Sequence, residues 1–531
     1  MKINNSRNLR DYDSFFKNME IKRHFRRRVF LKITGVALLC ISLLTIIAPN
    51  VALGGNKKNP EPPSRFGINN PFEENDYGLL PPGTAELLND LGVSVVSDSI
   101  FRRRAEKGLS DYDWTSVRNK LGVYKKAGAK ILFVINPKSN FMFGDGFKPK
   151  SGGYLPGGSV SFSAYENYLT RLIKLGKGKV DYWEVFNEPT DEYKISKGVY
   201  RIDDYVELLV RSFKIIKSID PQAQIVLGGV ATRSPLDFYT MVLGELKRGY
   251  PEILPELIFD VHAYAWNWQN WDKYYERDSR IEFRTFETFS NIFKEFVDNP
   301  RFIIKESATF SGRINSVVEY PFTLPEEVFQ TEYQQAEYLL KSRVYLASQP
   351  GVMFVQWSTL GEHGDYQGNC EDKFSSAGLV YDGTNDKCDV AGDLYDGGKG
   401  VKKLSYYTLK FLVEQSQDGN IRKIETGIPN ISLYYIERNG KPPLYIAWWD
   451  YYRDDGAEES REATLGLPGI SGSVARITES IPDFSQDFQT RKTGLKERDY
   501  PKFFKRHNTS ITNGKVTISL GKEPVYIEQG I

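Results

Sequence analysis

The stretch VDYWEVFNEPTDEYKISKGVYRIDDYVELLVRSFKIIKSIDP, residues 180–221, contains a strand pattern followed by a helix pattern. Its first part, VDYWEVF (180–186), is rich in the β-branched and aromatic residues that strands favour. A polar turn, NEP (187–189), follows. Over residues 203–219 apolar side chains recur every three or four positions, and a proline comes two residues later, as at the end of an amphipathic helix. The stretch therefore predicts one βα unit.

The same alternation runs through most of the chain. Eight strand-like runs lie at 65–69, 93–97, 130–136, 180–186, 224–230, 257–264, 302–307 and 352–358. The helix patterns between them include Thr115 to Gly128, Ala164 to Leu175, Asp203 to Ile219 and Thr331 to Ala347. Strands that alternate with helices form parallel sheets, and eight such units indicate a (β/α)8 TIM barrel, an α/β fold. We place this barrel at residues 60–417.

The pattern changes after the barrel, and at 531 residues the chain is long enough for a second domain. From Asn420 onward short runs of alternating apolar and polar residues, such as ISLYYIER and KVTISL, are separated by Gly, Pro and Asn. Such runs are typical of antiparallel strands. We predict a smaller C-terminal β-sandwich over residues 418–531.

The N-terminal 54 residues differ from the rest in charge. They hold ten Lys or Arg and three Asp or Glu, an excess of +7 that leaves the remainder near −5. This mildly acidic remainder lacks the basic surface of a nucleic-acid binder. Arginines precede an apolar run of 16 residues, 33–48, which fits the apolar region of an export signal better than a membrane span.

Within this segment Arg27 and Arg28 resemble the twin-arginine signature of bacterial export. We therefore predict an exported protein, periplasmic or extracellular. An uncleaved N-terminal membrane anchor remains the alternative. After export only Cys370 and Cys388 remain, and in an oxidising compartment they could form one disulfide or stay as two buried thiols.

Two glutamates follow predicted barrel strands. Glu188 comes directly after the fourth strand and Glu306 ends the seventh, 118 residues later in the chain. Because the reacting groups of such barrels sit at the carboxyl ends of the strands, these two side chains can converge at one mouth. Two convergent carboxylates are what glycosidic bond cleavage requires, and at ~5–5.5 Å separation the anomeric configuration is retained.

The Asn-Glu-Pro after strand four, the glutamate ending strand seven and the tryptophan ending strand eight together resemble the retaining glycoside hydrolases of clan A, the 4/7 superfamily. The resemblance implies Glu188 as the general acid/base and Glu306 as the nucleophile. It implies that Asn187 binds the sugar 2-hydroxyl. In FDVHAYAW, His262 and Tyr264 alternate to the same face at the end of strand six, where the clan often places a tyrosine against the nucleophile, although His262 could equally be a core histidine. The resemblance makes Trp357 a sugar-stacking floor.

One position departs from this resemblance. Many clan A members carry an arginine at the end of strand two, where this chain has Ser97. Either strand two ends later than predicted or the nucleophile is supported by other groups. Within the clan, the stretch 331–357 and the C-terminal sandwich look most like glycoside hydrolase family 39 and related exopolysaccharide-processing glycosidases.

Other chemistries find no signal in the sequence. It contains no H-E-x-x-H, G-x-S-x-G or G-x-x-x-x-G-K-[ST] motif, and the acidic loop 365–398 does not follow EF-hand spacing. No cofactor or metal is expected, and the partner is a poly- or oligosaccharide. The alternatives to a hydrolase are a transglycosidase or an inert carbohydrate-binding barrel in exopolysaccharide assembly. The sugar, the linkage, the cleavage mode and the oligomeric state are not determined by these patterns.

Overall fold

A computed structural model describes a large part of the chain. The described residues are 64–72, 79–108, 110–144, 146–148, 152–157, 162–196, 198–230, 236–264, 286–314, 318–319, 322–323, 328–362, 376–381, 400–417, 419–449, 460–485, 488–490 and 495–530. The twin-arginine stretch, the apolar run 33–48 and both Cys370 and Cys388 lie outside this part. None of the helices it contains has the length and apolar character needed to cross a membrane.

Eight parallel strands close into a barrel. They are β1 (Phe66–Asn69), β2 (Val95–Phe101), β3 (Lys130–Asn136), β4 (Tyr182–Val185), β5 (Gln224–Val230), β6 (Leu257–Val261), β7 (Arg301–Ile304) and β8 (Val352–Ser358). Each strand pairs with its sequence neighbours, and β1 also pairs with β8, with Phe66 opposite Val355 and Asn69 opposite Ser358. The predicted TIM barrel is therefore confirmed.

A helix follows each strand. The helices are α1 (Thr84–Leu91), α2 (Thr115–Lys126), α3 (Ser163–Gly176), α4 (Ile202–Ile219), α5 (Leu236–Gly249), α6 (Phe286–Lys294), α7 (Glu332–Ala347) and α8 (Leu404–Ser416). The first turn of α7 is closed by a capping box, in which the Thr331 hydroxyl accepts from the Gln334 amide and the Gln334 side chain accepts from the Thr331 amide. This helix is buried along nearly its whole length, between the barrel and the C-terminal sheet.

The barrel interior is filled by a small apolar cluster that is separate from the large core between strands and helices. Its members come from β2 to β8: Val95, Leu132, Val134, Tyr182, Val226, Ile258, Ile303 and Phe354. Side chains two positions further along a strand point to the same face. The positions two residues after Tyr182, Ile258 and Ile303 are therefore the next interior layer, nearer the carboxyl ends of the strands.

Short turns and two-stranded ribbons lie in the connections that follow the carboxyl ends of the barrel strands. Strand β2 is followed by a helical turn, Arg102–Ala105, and a ribbon of Glu106–Gly108 with Asp111–Tyr112. Strand β4 is followed by the turn Pro189–Glu192 and a ribbon of Lys194–Ser196 with Val199–Tyr200. The connection after β7 contains Gly312–Ile314 paired with Val328–Gln330 and Val318–Glu319 paired with Phe322–Thr323. At the opposite end of the strands, a 3-10 turn, Leu254–Glu256, precedes β6.

The C-terminal part is an antiparallel sheet of eight strands that curls on itself. The strands are β9 (Asn420–Lys423), β10 (Ile431–Glu437), β11 (Leu444–Trp449), β12 (Arg461–Gly466), β13 (Val474–Glu479), β14 (Arg506–Thr512), β15 (Lys515–Leu520) and β16 (Val525–Gln529). Their order is β9-β10-β11-β16-β13-β14-β15-β12, and a 3-10 turn at Glu497–Lys502 precedes β14. This arrangement agrees with the predicted β-sandwich. The boundaries 60–417 and 418–531 remain predictions.

Candidate active site

The turn after β4 explains the sequence Asn-Glu-Pro. Phe186 and Glu188 both have positive φ, 73° and 43°, and Glu188 adopts the left-handed conformation. Pro189 begins the short helical turn Pro189–Glu192, and a proline disfavours the right-handed helical conformation in the residue before it. The chain therefore reverses at Glu188, whose side chain is 41% exposed and borders the mouth of the barrel.

Glu306 follows β7 and lies deeper, with 15% of its side chain exposed. The hydroxyl of Tyr264 donates to its Oε2 at 3.1 Å. Carboxylate oxygens of Glu188 and Glu306 lie within 4.8 Å of each other and of a ring nitrogen of His262. The structure therefore brings Glu188, Glu306, His262 and Tyr264 into one group.

His262 connects the two carboxylates. Its Nδ1 lies 2.6 Å from Glu188 Oε1 and 3.4 Å from Glu306 Oε2, while its Nε2 lies 2.9 Å from Asp260 Oδ2. The ring is fully buried. Burial favours the neutral imidazole, but the charges of Glu306 and Asp260 and the hydrogen bonds outweigh it, and they raise the pKa of His262 well above its usual value. His262 is therefore both a core histidine and a contact of the glutamate pair.

A buried charge cluster lies directly beneath this group. Lys305 Nζ donates to both oxygens of Glu184, at 2.7 and 2.8 Å, and to Asn187 Oδ1 at 2.6 Å, and it lies 3.3 Å from Asp260 Oδ2. Glu184, Asp260 and Lys305 are each at most 1% exposed. No role was predicted for these three residues from the sequence. In the sequence, each of the three is a charged residue two positions after an apolar or aromatic residue of a predicted strand: Glu184 after Tyr182, Asp260 after Ile258 and Lys305 after Ile303.

Strand β5 makes room for the cluster with glycine. Its pairing with β6 shifts by one residue between Leu227 and Val230, where Gly228 and Gly229 lie. A Cβ atom at Gly229 would stand 2.2 Å from His262 Nε2 and 2.7 Å from Asp260 Oδ2, closer than real atoms approach. The Gly229 amide also donates to Glu184 Oε1 at 3.0 Å. A side chain at residue 229 would therefore displace His262 and Asp260.

The same surroundings move the pKa values of the two glutamates in opposite directions. Burial raises the pKa of Glu306, and the nearby His262 and Lys305 cations only partly oppose it. For Glu188 burial acts in the same sense, but the hydrogen bond and charge of His262 outweigh it and lower the pKa. A proton shared by the two carboxylates therefore favours Glu306.

The charges beneath the pair are likewise shifted. Burial raises the pKa of Glu184 to about 7, against the opposing charge of Lys305. Burial would also raise the pKa of Asp260, but the Lys305 and His262 cations outweigh it and lower the value. Burial disfavours the Lys305 ammonium, but the surrounding carboxylates raise its pKa.

Strand β2 ends four residues later than predicted, at Phe101 instead of Ser97. The reason is Asp98, which faces outward and is neutralised by Lys120 of α2 at 2.7 Å, so a charged residue continues the strand. The next arginine, Arg102, is buried and pairs with Glu106 at 2.7 Å. It does not stand in for the arginine that the resemblance implies near the nucleophile.

A run of hydrogen bonds around the barrel mouth reaches Glu306 instead. Ser97 Oγ donates to Asn69 Oδ1 at 2.6 Å, and Asn69 Nδ2 donates to Ser358 Oγ at 3.0 Å. Ser358 is hydrogen-bonded to Tyr264, whose hydroxyl contacts Glu306. Ser97, at the position where an arginine was expected, is thus connected to the nucleophile candidate through side chains of β1, β8 and the segment after β6.

Trp357, the sixth residue of β8, lies inside the protein. Its side chain is fully buried, its indole N–H donates to the Ala377 carbonyl at 2.9 Å, and the Arg343 guanidinium lies over the ring at 5.2 Å. The ring therefore shows no exposed face in this structure, and its role as a sugar-stacking floor stays a prediction. The peptide bond after its neighbour, Ser358–Thr359, is cis.

Two groups in the described part of the chain have the spacing of metal ligands. One consists of Glu184, Asp260 and His262, and the other of Glu188, His262 and Glu306. The Lys305 ammonium lies within 3.3 Å of both carboxylates of the first group, so a cation already balances that charge. In the second group the ligand atoms of His262 and Glu188 hydrogen-bond each other. The sequence prediction of no metal stays a prediction.

Comparison with known proteins supports the fold. No sequence profile of a known family and no curated protein matches the chain. A family 39 glycoside hydrolase from Bacteroides cellulosilyticus matches with a TM-score of 0.56 at 15% identity, covering 88% of this chain and 81% of its own. A family 51 alpha-L-arabinofuranosidase from Bifidobacterium longum matches with a TM-score of 0.50 at 12% identity, covering 88% and 96%. The chain therefore shares the fold of these two glycoside hydrolases.

Proposed function

We propose that the protein is a retaining glycoside hydrolase that cleaves a poly- or oligosaccharide by double displacement. The observation that carries this proposal is the separation of the two glutamates, whose oxygens approach within 4.8 Å. Retaining enzymes hold their carboxyl groups ~5–5.5 Å apart, whereas inverting enzymes need ~6.5–9.5 Å to admit a water molecule. The spacing here supports the retaining mechanism.

Exposure supports the assignment of roles. Glu306, 15% exposed and held by the Tyr264 hydroxyl, is the deeper group and would attack the anomeric carbon. Glu188 is 41% exposed, so it would face the leaving group and the incoming water. It would protonate the glycosidic oxygen in the first step and remove a proton from water in the second.

The mechanism needs the proton on Glu188 and the negative charge on Glu306. The raised pKa of Glu306 and the lowered pKa of Glu188 favour the reverse distribution. His262 offers the route for this exchange, because the same ring nitrogen contacts both carboxylates. On substrate binding, the His262 imidazolium would pass its Nδ1 proton to Glu188 and take the proton of Glu306 in its place, so that one proton moves from Glu306 to Glu188. Asp260, hydrogen-bonded to the other ring nitrogen, stabilises the imidazolium before and after this exchange.

The test is the stereochemistry of the first product. Purified protein is screened against a polysaccharide panel and aryl glycosides, and the product of an active substrate is followed by proton NMR before mutarotation. We expect the anomer of the substrate to appear first. Initial formation of the opposite anomer would contradict the proposal, as would complete inactivity of the folded protein against the whole panel. Sizing the polysaccharide products separates endo from exo cleavage and hydrolysis from glycosyl transfer.

A further inference from the structure

Lys305 takes part in neither chemical step, yet its ammonium group lies within 4 Å of four other side chains of the site. Its ammonium touches Glu184 with two hydrogen bonds and Asn187 with a third. It also lies 3.3 Å from Asp260 and 3.8 Å from Glu306 Oε1. With 1% of the side chain exposed, these groups replace the water that would otherwise solvate the charge.

The contact with Asn187 fixes the direction of an amide. An ammonium group has three donors and no acceptor, so the Asn187 atom that faces it at 2.6 Å must be the carbonyl oxygen. The NH2 group of Asn187 then points away from Lys305. Asn187 is half-buried and stands next to Glu188 at the mouth of the barrel. Its orientation is thus set by the lysine and not by the turn alone.

The contact with Glu306 is electrostatic. Lys305 favours the ionised carboxylate, and it works against the burial that raises the pKa of Glu306. Since Glu306 must be ionised to attack, the same ammonium that orients Asn187 also prepares the nucleophile. Arg102 does not supply this charge, because it is paired with Glu106.

We propose that Lys305 is a positioning residue, which turns the Asn187 amide towards the sugar 2-hydroxyl and places a positive charge beside Glu306. This inference rests on the proposed glycosidase function. It goes beyond that function in assigning the 2-hydroxyl contact to a lysine–asparagine pair instead of asparagine alone. A purely structural reading would give Lys305 only the task of neutralising Glu184.

The test separates these two tasks with the double variant Lys305→Met/Glu184→Gln, which removes both buried charges and leaves neither unpaired. The substrate is the 4-nitrophenyl glycoside that the wild-type protein cleaves fastest, alongside its 2-deoxy analogue. We expect kcat/KM for the parent glycoside to fall about 100-fold further than kcat/KM for the 2-deoxy analogue, the usual effect of losing one transition-state donor. Adding Asn187→Ala should then cost little further activity, whereas it should cost about 100-fold in the wild type.

The matched control is Lys341→Met/Glu337→Gln, which removes another buried pair, 2.8 Å apart within α7 and outside the site. This variant should keep the wild-type ratio of parent to 2-deoxy activity. Equal losses on both substrates in the Lys305 double variant would overturn the proposal, and so would an unreduced effect of Asn187→Ala in that background.

A second measurement does not depend on activity. High-resolution crystal structures of the wild type and of the Lys305→Met/Glu184→Gln variant report the Asn187 rotamer directly. We expect the carboxamide to rotate or flip once the ammonium is gone, while an unchanged Oδ1 position would overturn the inference. An inactive wild type would contradict the proposed function alone, whereas an unmoved Asn187 or a uniform loss of activity would contradict only the role of Lys305.

Discussion

At the scale of single residues, the site is governed by one histidine between two carboxylates. The His262 imidazolium lies closer to Glu188 than to Glu306, so it lowers the pKa of Glu188 while burial still raises that of Glu306. Interacting groups of this kind lose their protons in two steps that belong to the pair. The pH profile of the enzyme should therefore report the pair together with the histidine.

Replacing His262 by asparagine tests this coupling. The imidazolium favours the ionised form of both glutamates, so its loss raises both of their pKa values. An opposite charge within ~4–6 Å lowers a carboxyl pKa by ~1–3 units, and we therefore expect both limbs of the kcat/KM profile to move to higher pH by at least about one unit. The measurement is kcat/KM against pH for the aryl glycoside.

The control for this prediction is His507→Asn, since His507 is exposed and lies in β14 of the C-terminal sheet. It should leave both limbs where they are. Limbs of the His262 variant that stay in place, or that move to lower pH, would show that the imidazole carries no charge next to the pair.

At the scale of the strand, most of the barrel could be predicted from the sequence. All eight predicted strands exist, and the bounds of β3, β5 and β8 are as predicted, because a parallel strand buried on both faces gives a continuous apolar run. Glu188 and Glu306 could be found because barrels place reacting groups after their strands. The resemblance predicted Tyr264 near the nucleophile, and strand alternation put His262 on the same face.

The buried charges could not be predicted in the same way. Glu184 and Asp260 lie in apolar strands, and Lys305 directly follows one. In a sequence, a single charged residue at such a position indicates the end of a strand or an outward side chain as readily as an interior ion cluster. Asp98 shows the opposite outcome, because β2 continues past it while its charge faces outward and pairs with Lys120. Which charges meet depends on barrel closure, which brings β4, β6 and β7 together across long stretches of sequence. The pKa directions depend on the same contacts.

A prediction at this scale concerns Gly229 of β5. In Gly229→Ala the new methyl group would overlap His262 and Asp260, so the strand or the histidine must shift. Overpacking of this kind costs about 1–3 kcal/mol of folding free energy. A displacement of ~1 Å at the reacting groups can lower activity ~100-fold. Chemical denaturation and kcat/KM of the variant measure the two effects.

The matched control is Gly244→Ala in α5, where a Cβ atom would meet nothing within 4 Å. Alanine there should stabilise the helix by about 0.5–1 kcal/mol and leave activity unchanged. A Gly229→Ala variant that behaves like this control would mean that His262 and Asp260 do not need the glycine.

At the scale of the whole molecule, the C-terminal sheet is packed onto the barrel through α7 and α8. Phe411 of α8 stacks on Phe504 with centroids 4.1 Å apart and meets the edge of Tyr526 at 5.2 Å. The Glu332 carboxylate at the start of α7 accepts from the Thr490 amide at 2.7 Å and the Tyr381 hydroxyl at 2.8 Å. The two parts therefore share both apolar and polar contacts.

This shared packing predicts joint unfolding. Phe411→Ala removes an aromatic side chain from the contact, and such a truncation costs about 3–5 kcal/mol. We expect scanning calorimetry to show one transition for the wild type and one transition at lower temperature for the variant. The control Met241→Ala, on the exposed side of α5, should stay within about 0.5 kcal/mol of the wild type. Two separate transitions, of which Phe411→Ala lowers the temperature of only the one that belongs to the C-terminal sheet, would show that the two parts unfold independently.

The central claim is that Glu306 attacks the sugar to form a covalent intermediate, and trapping that intermediate tests it most directly. A 2-fluoro glycoside with a good leaving group, matched to the sugar that the enzyme cleaves, forms the glycosyl-enzyme but releases it slowly. Mass spectrometry of the digested protein should find the fluorosugar on the peptide that contains Glu306, and no label should form on the Glu306→Ala variant. Label on Glu188 or on any other residue, or an active enzyme that never acquires the mass, would contradict the account.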